Sequence, residues 1–244
     1  MDVEVLPCIG YFPMPDLTDK AVIVIDVLRA TSTVITALAN GCRVVVPVCG
    51  IEEAREIKAG ESGVLLGGER RAQRIDGFDL GNSPSDYSPE VVSGKKVVIT
   101  TTNGTKAIQA AQEASKIWIA SLLNADSVTE AVKLFLARHE EIRGLVIICA
   151  GTEERFDLPD TICAGMILAG LGSGFSINDL GLAARMMYNI SRENIKETLK
   201  NSRHGQYMLS IGMECDIDFC ALVNIYSVVP VYQHGQITIE KIDG

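Results

Sequence analysis

Apolar runs of strand length alternate along this chain with amphipathic or alanine-rich segments. Ala21–Ile25 (AVIVI) is wholly apolar, and Ser32–Asn40 has the pattern of a helix that Gly41 stops. Val44–Pro47 reads as the next strand, and Ile51–Ala59 as a charged helix ending at Gly60. Val64–Leu66 is short and apolar. The alternation continues with a strand at Lys96–Thr100, a helix at Thr105–Ala114, a strand at Ile117–Ala120, a helix at Ala125–His139 and a strand at Leu145–Cys149. Beyond Pro159 the periodicity is helical for roughly 60 residues. The chain closes on two apolar runs, Ile225–Tyr232 and Ile237–Ile242, separated by His-Gly-Gln as in a hairpin. The rhythm predicts an α/β fold: three α/β/α layers, a mainly parallel but mixed sheet, and a C-terminal β-hairpin. We read residues 1–244 as one domain, with 124–145 as the place where a two-lobed division would fall. Arg70–Glu90 shows no clear element, and a loop of that length in a compact domain is usually functional or an interface arm.

Composition narrows the function classes. Aromatics are only 5 % of the 244 residues, and the apolar mass is Val, Ile, Leu and Ala, which suits parallel strands under helices. Lys and Arg total 22 against 31 Asp and Glu, a formal charge of -9. Such a chain repels nucleic acid and anionic membrane unless basic residues cluster, and no basic run occurs, so neither partner is expected. An anionic substrate would need a locally positive site. The seven cysteines include no C-x-x-C pair, and most sit in apolar segments as small hydrophobes. No signal-peptide pattern and no apolar stretch of about 20 residues is present, so the cytoplasm is the expected compartment. The many apolar segments make a homodimer a possible assembly.

Four apolar runs stop abruptly in polar residues. AVIVI leads into Asp26, Arg29, Thr31, Ser32 and Thr33; VLLGG into Glu69, Arg70 and Arg71; KVVIT into Thr101, Thr102, Asn103, Gly104 and Thr105; LVIIC into Gly151, Thr152, Arg155, Asp157 and Asp160. Open α/β sheets bind ligands beyond the carboxyl ends of their strands, so four such endings point to a shared site. ITTTNGTKAI has the strand–turn–helix context of an anion cradle, with Gly104 permitting close backbone approach; ordinary turn and N-cap chemistry is the alternative. Asp26 and Glu69 are acids at strand ends, suited to catalysis or, with water, to Mg2+; a helix cap and an ion pair with Arg70 or Arg74 are the alternatives. Arg29 lies one turn from Asp26 and offers either a bidentate fork to an anion or an ion pair.

Cys149 and Arg155 have the spacing of cysteine-dependent phosphatases, but Glu153 and Glu154 would then face a phosphate dianion, and a buried structural thiol is the expectation. Leu28 stands where a haloacid-dehalogenase-type nucleophile at Asp26 would want a second acid. None of the three histidines pairs with another at metal-ligand spacing; His204, in SRHGQ, reads as a solvated helix-start residue with an approach to the site as the alternative, and Asp216 and Asp218 read as caps.

The segments IDVLRATSTVITALANG, GGERRAQRIDGFDLGNSPSDY, TTTNGTKAI, CAGTEERFDLPDTICAG and SRHGQYMLSIGMECDIDFCA together resemble the 2-phosphosulfolactate phosphatase family over Ile25–Ala221. The resemblance implies a Mg2+-dependent hydrolase of coenzyme M biosynthesis that converts (2R)-2-phospho-3-sulfolactate to 3-sulfolactate and phosphate. It implies Asp26, Glu69 and Asp160 around the ion, Thr101–Thr105 around the phosphate, and Arg29 with Arg70 or Arg155 on the other anionic groups. Asp26 and Glu69 are the candidate catalytic residues. Pro159 departs from the acid that the resemblance implies beside Asp160 and weakens a metal role there. The alternatives are a phosphatase or phosphoryl-transferring enzyme acting on another phosphorylated hydroxy acid, a phosphoryl-transferring or isomerising enzyme on the same ligands, and a non-catalytic anion-binding protein.

Overall fold

The computed structural model describes residues 1–10 and 14–240. Eleven strands among them form one sheet: β1 (Asp2–Leu6), β2 (Lys20–Ile25), β3 (Val44–Pro47), β4 (Val64–Arg70), β5 (Gln73–Arg74), β6 (Lys96–Thr100), β7 (Lys116–Ala120), β8 (Gly144–Cys149), β9 (Ser176–Ile177), β10 (Pro230–Gln233) and β11 (Gln236–Ile239). Ten α-helices connect them: α1 (Ala30–Ala39), α2 (Ile51–Gly60), α3 (Pro89–Val92), α4 (Gly104–Ala110), α5 (Ala125–Arg138), α6 (Leu158–Leu171), α7 (Asp179–Ser191), α8 (Ile195–Asn201), α9 (Arg203–Ser210) and α10 (Glu214–Cys220). None is long and apolar enough to cross a membrane.

The strand order is β5-β4-β6-β3-β11-β10-β7-β2-β8-β1-β9. On one side β4, β6 and β3 are parallel; on the other β7, β2, β8, β1 and β9 are parallel. The expected C-terminal hairpin, β10–β11, lies between these halves and is antiparallel to both. Three antiparallel junctions in a row make the two halves run in opposite directions. Each junction to the hairpin is thin, with Val231 opposite Trp118 and Ile237 opposite Val45. Buried side chains at these pairs and the hydrogen bond from Trp118 Nε1 to Glu240 Oε2 (3.1 Å) hold the hairpin in place.

Alternation along β2 explains the layers. Ala21, Ile23 and Ile25 enter a core beneath α5 and α6, while Val22 and Val24 enter a second core on the opposite face. That second core also receives Val45, Val97 and Ile99 from the other half, together with Val34 and Leu38 of α1 and Ala107 and Ile108 of α4. The sheet therefore curls about α1 and α4, and the carboxyl ends of both halves approach one another. Helix α2 covers the remaining face of β4 and β6 through Ala54, Val64, Leu66 and Val98. Surrounded in this way, α1 is buried from Ala30 to Leu38. Its hydroxyls need internal acceptors: Thr31, Ser32 and Thr36 bond to Asp26, Val27 and Ser32 carbonyls at 2.8 Å, and Thr33 to the Asn82 carbonyl at 3.0 Å.

Several expectations need adjustment. Helix α4 stops at Ala110 rather than Ala114, and β4 runs on to Arg70. The first 26-to-30 turn places helix α1 two residues earlier than its apolar pattern suggested. Residues 225–229 are not strand; Asn224 and Tyr226 amides bond instead to the Leu122 and Leu123 carbonyls. The strand expected to reach Ile242 ends at Ile239, and Ile242 itself lies outside the described residues. The segment Arg70–Glu90 contains β5, a 3-10 turn at Pro84–Asp86 and the start of α3. Leu80 N bonds to Leu66 O (2.9 Å) and Gly68 N to Gly81 O (3.0 Å), and the buried Tyr87 hydroxyl donates to Gly81 O (2.7 Å).

Gly68 is the tightest backbone position on the β4 edge. Its φ is +136°, and a Cβ there would stand 2.0 Å from the Thr100 carbonyl oxygen. Gly68→Ala is expected to destabilise the protein by about 3 kcal/mol or more, measured as a lower denaturant midpoint at unchanged slope.

Candidate functional site

The curl brings all four polar strand endings to one cavity of about 690 Å³, with Asp26, Glu69, Thr101, Thr102 and Thr152 among its walls. The loops are fixed by buried carboxylates that bind main-chain amides. Asp160, in the first turn of α6, accepts from Val27 N (2.8 Å) on one oxygen and from Gly151 N (3.1 Å) on the other, so it ties the ends of β2 and β8 together. It is 2 % exposed and lies behind the wall rather than in it. Burial first, and then the charges of Asp157 and Asp26, hold its carboxyl well above the ordinary range. Glu69 acts similarly at the other half: Oε1 accepts from Thr102 N (2.8 Å) and Thr102 Oγ1 (2.9 Å), and Oε2 from Ala72 N (2.8 Å).

Asp26 ends β2 at the cavity floor, 7 % exposed. Its Oδ1 accepts from Ala30 N (3.1 Å), and Oδ2 has no hydrogen-bond partner among the described residues. Burial is the main cause that raises its carboxyl to about 6; Asp157 and Glu69 add to the rise, and His204 and the Ala30 amide oppose it. Gly104 abuts this carboxylate. A Cβ at Gly104 would lie 2.8 Å from Asp26 Oδ2 and 2.5 Å from Ala30 Cβ, so only glycine lets α4 begin against the floor.

The loop after β6 is less open as an anion cradle than its sequence suggested. Thr101 and Thr105 bond to each other, with Thr105 N donating to Thr101 Oγ1 (3.2 Å), and the Thr102 amide is held by Glu69. Thr101, Thr102 and Asn103 line the cavity, whereas Gly104 and Thr105 support them from behind. Asn82, from the long β5–α3 connection, also lines it; its Oδ1 is buried without a partner.

Five arginines and four carboxylates line the cavity, a formal excess of one positive charge in the lining of a chain of charge -9, and Asp216 behind the wall offsets Arg29. The arginines divide into two kinds. Arg29 is 5 % exposed and is ion-paired to Asp216 of α10, with Nη2 donating to Ala72 O (2.9 Å). Arg70 donates to Glu69 O (2.7 Å), Cys49 O (3.1 Å) and Thr100 Oγ1 (3.0 Å). Both expected anion binders are thus tied to protein oxygens. Arg71 and Arg155 are exposed at the rim with no ion pair among the described residues, and Arg203 reaches only Glu153, at 4.0 Å.

Arg71 and Arg155 are displayed by two similar turns. Arg71–Ala72 closes the β4–β5 hairpin with φ of 53° and 62°, and Glu153–Glu154 closes the Thr152–Arg155 bridge with φ of 54° and 58°. Left-handed conformation at four residues that are not glycine costs about 1 kcal/mol each, and such strain clusters at ligand-binding sites.

Sequence reading missed Asp157 and His204 as a pair. Asp157 is 5 % exposed at the start of α6, and His204 lies half-buried in the first turn of α9 rather than in solvent. Thr152 Oγ1 lies 3.0 Å from both Asp157 Oδ1 and His204 Nδ1. Asp216 is likewise more than a cap, being the Arg29 partner. Cys149 is fully buried, outside the cavity wall, with its thiol held well above 9 by burial and by Asp160. It is no thiolate, as expected for a structural cysteine.

Known proteins place this geometry in context. Residues 12–235 match the family described as 2-phosphosulpholactate phosphatase. A probable 2-phosphosulfolactate phosphatase of Symbiobacterium thermophilum is 42 % identical over 232 residues, covering 93 % of this chain and 97 % of its own. One from Thermotoga petrophila is 41 % identical over 244 residues, covering 99 % of each, and one from Clostridium tetani 39 % over 238, covering 96 % and 99 %. With matches of this length at both levels, the chain belongs to the 2-phosphosulfolactate phosphatase family.

Proposed function

We propose that this protein hydrolyses the phosphate monoester of a small 2-phospho acid, (2R)-2-phospho-3-sulfolactate, to 3-sulfolactate and phosphate. The observation that carries the reading is the cavity's division of charge: a buried carboxylate floor at Asp26 beneath a rim of exposed guanidinium groups. A ligand with phosphate, carboxylate and sulfonate groups needs several cationic donors. Arg71, Arg155 and Arg203 are the donors for its outer anionic groups, and Asn103 with Thr102 flanks the phosphate.

Mg2+ is part of the proposal. Among the described residues no group of three His, Cys, Asp or Glu converges to hold an ion alone. Mg2+ that keeps water and takes phosphate oxygens needs only one or two carboxylates. The donor set at the floor fits: Asp26 offers a free oxygen in a field made negative by Asp157 and Glu69. Asp26 and Glu69 would hold the ion, which when bound neutralises phosphoryl oxygens and orients water. The Glu69 bonds to Thr102 and Ala72 position the phosphate-facing loop, and Asp160 positions the Asp26 loop through Val27.

Stoichiometric release of phosphate and sulfolactate from 2-phosphosulfolactate, abolished by EDTA and restored by Mg2+, is the expected result. Full activity without a divalent ion would refute the metal assignment, and a transferred or rearranged product would refute hydrolysis. Asp26→Asn is expected to lower kcat by at least about 100-fold. Arg71→Ala and Arg155→Ala are expected to raise KM about tenfold each with smaller effects on kcat.

The raised Asp26 carboxyl gives a readout that does not depend on activity. The folded form keeps its proton to about 6 while the unfolded chain releases it near 3.8, so this group's contribution makes stability fall as pH rises through that window. A bound cation reverses the penalty. At pH 7.5 a hundredfold excess of Mg2+ over its Kd should raise the unfolding midpoint by about 5–10 °C, and Asp26→Asn should abolish most of that rise.

A further inference from the structure

A phosphate ester of a hydroxy acid departs as an alkoxide, a poor leaving group unless an acid protonates it. The groups assigned to the ion and to the anionic arms do not supply that proton. His204 and Asp157 both line the cavity wall, on the side formed by the β8–α6 connection and the start of α9. Thr152 Oγ1 donates to Asp157 Oδ1 (3.0 Å), which uses its one proton, so it can only accept from His204 Nδ1 (3.0 Å). The Asp157 carboxylate also stands 3.5 Å from Nδ1. The network fixes Nδ1 as the protonated nitrogen and leaves Nε2 as the one that gains or loses a proton. No protein group among the described residues bonds to Nε2. Ser202 Oγ holds the ring's own turn in place by accepting from Gly205 N (2.9 Å).

We propose that His204 donates the proton to the leaving oxygen of the phosphomonoester, with Asp157 and Thr152 as its positioning residues. The role rests on the hydrolase reading above. Water attacks phosphorus, the bond from phosphorus to the hydroxy-acid oxygen breaks, and its electron pair goes to that oxygen, which takes the Nε2 proton. The water leaves both its protons on the phosphate, which gives one up to solvent as His204 regains one.

The charges around the ring bear on this role from every side. Burial works against the imidazolium most strongly, and Arg29 at the head of α1 opposes it too, as does the amino end of α9. The hydrogen bond and charge of Asp157, at the start of α6, and the charge of Asp26, at the end of β2, outweigh them, so the ring stays protonated above its ordinary 6.5.

The test is the pH profile of kcat on 2-phosphosulfolactate for the wild type, His204→Gln and Thr152→Val. The wild type should lose activity as pH rises through the His204 titration. His204→Gln should lower kcat at neutral pH by about 100- to 10,000-fold, change KM less than about threefold, and abolish the alkaline limb. Thr152→Val, which removes the Nδ1 acceptor and frees Asp157 Oδ1, should keep the limb but displace it. An unaltered limb or kcat in His204→Gln would overturn the proposal. If His204→Gln does not fold, an unshifted limb in Thr152→Val overturns it instead. A wild-type protein that releases no phosphate refutes the hydrolase reading itself, and the proton donor with it.

Discussion

A carboxylate withdrawn from water must find hydrogen-bond donors inside the protein, and the site depends on where Asp160 and Glu69 find theirs. Both take them from the main chain of neighbouring loops: Asp160 from Val27 and Gly151, Glu69 from Thr102 and Ala72. Each therefore joins two strand-end loops that the fold alone would leave independent. The loops after β2 and β8 are set by the first, and those after β4 and β6 by the second. A cavity assembled this way exists before ligand arrives, which lowers the ordering that binding must supply. The same bonds explain why acids that look like ligands in the sequence can serve as scaffold.

The curl of the sheet brings the two pairs of loops together. Because β10 and β11 are inserted between halves that run in opposite directions, a flat sheet would send the ends of β4 and β6 away from those of β2 and β8. Packing of both halves on α1 and α4 folds them toward one another. Gly104 is the closest point of that approach, where α4 begins against Asp26. The cavity thus depends on a contact between residues about eighty positions apart, made possible by the lack of a side chain.

Much of this was legible in the sequence. The apolar runs at Ala21–Ile25, Val44–Pro47 and Lys96–Thr100 are strands because fully buried parallel strands carry uninterrupted β-branched residues. The polar residues that follow β2, β4, β6 and β8 meet at one cavity because strand ends of an α/β sheet face its ligand. Other features left no local trace. Asp2–Leu6 is too mixed to stand out, with acids alternating with its apolar residues, and it becomes a strand by pairing with β8 and β9. His204 sits beside Ser202 and Arg203 as any exposed helix start would; only the distant Thr152 and Asp157 bury it. Arg29 and Arg70 resemble anion binders in composition, and their partners Asp216 and Cys49 are remote in sequence. Arg71–Ala72 and Glu153–Glu154 carry no Asn or Gly to announce left-handed turns, so neighbouring hydrogen bonds must impose that conformation.

The tied and untied arginines also settle how an acidic protein can admit an anion. Charges farther away than a Debye length of about 8 Å are largely screened at physiological salt, so the net charge of -9 matters less at the cavity than its own lining. Arg29 is matched by Asp216 and adds no net attraction of its own, and Arg70 keeps its charge but turns its guanidinium to the Glu69 and Cys49 carbonyls and the Thr100 hydroxyl. If the substrate is the multiply charged acid proposed, it is the rim that attracts it, where Arg71, Arg155 and Arg203 project from strained or exposed turns into water. Exposed guanidinium groups bind weakly one at a time. Three of them around one mouth favour a ligand with several anionic groups over a simple phosphate ester, because each further group adds a contact without a further loss of translational freedom. On that proposal, selectivity for a multiply charged acid would come from the rim, and the acidic floor would need only to act on the single phosphoryl group that reaches it.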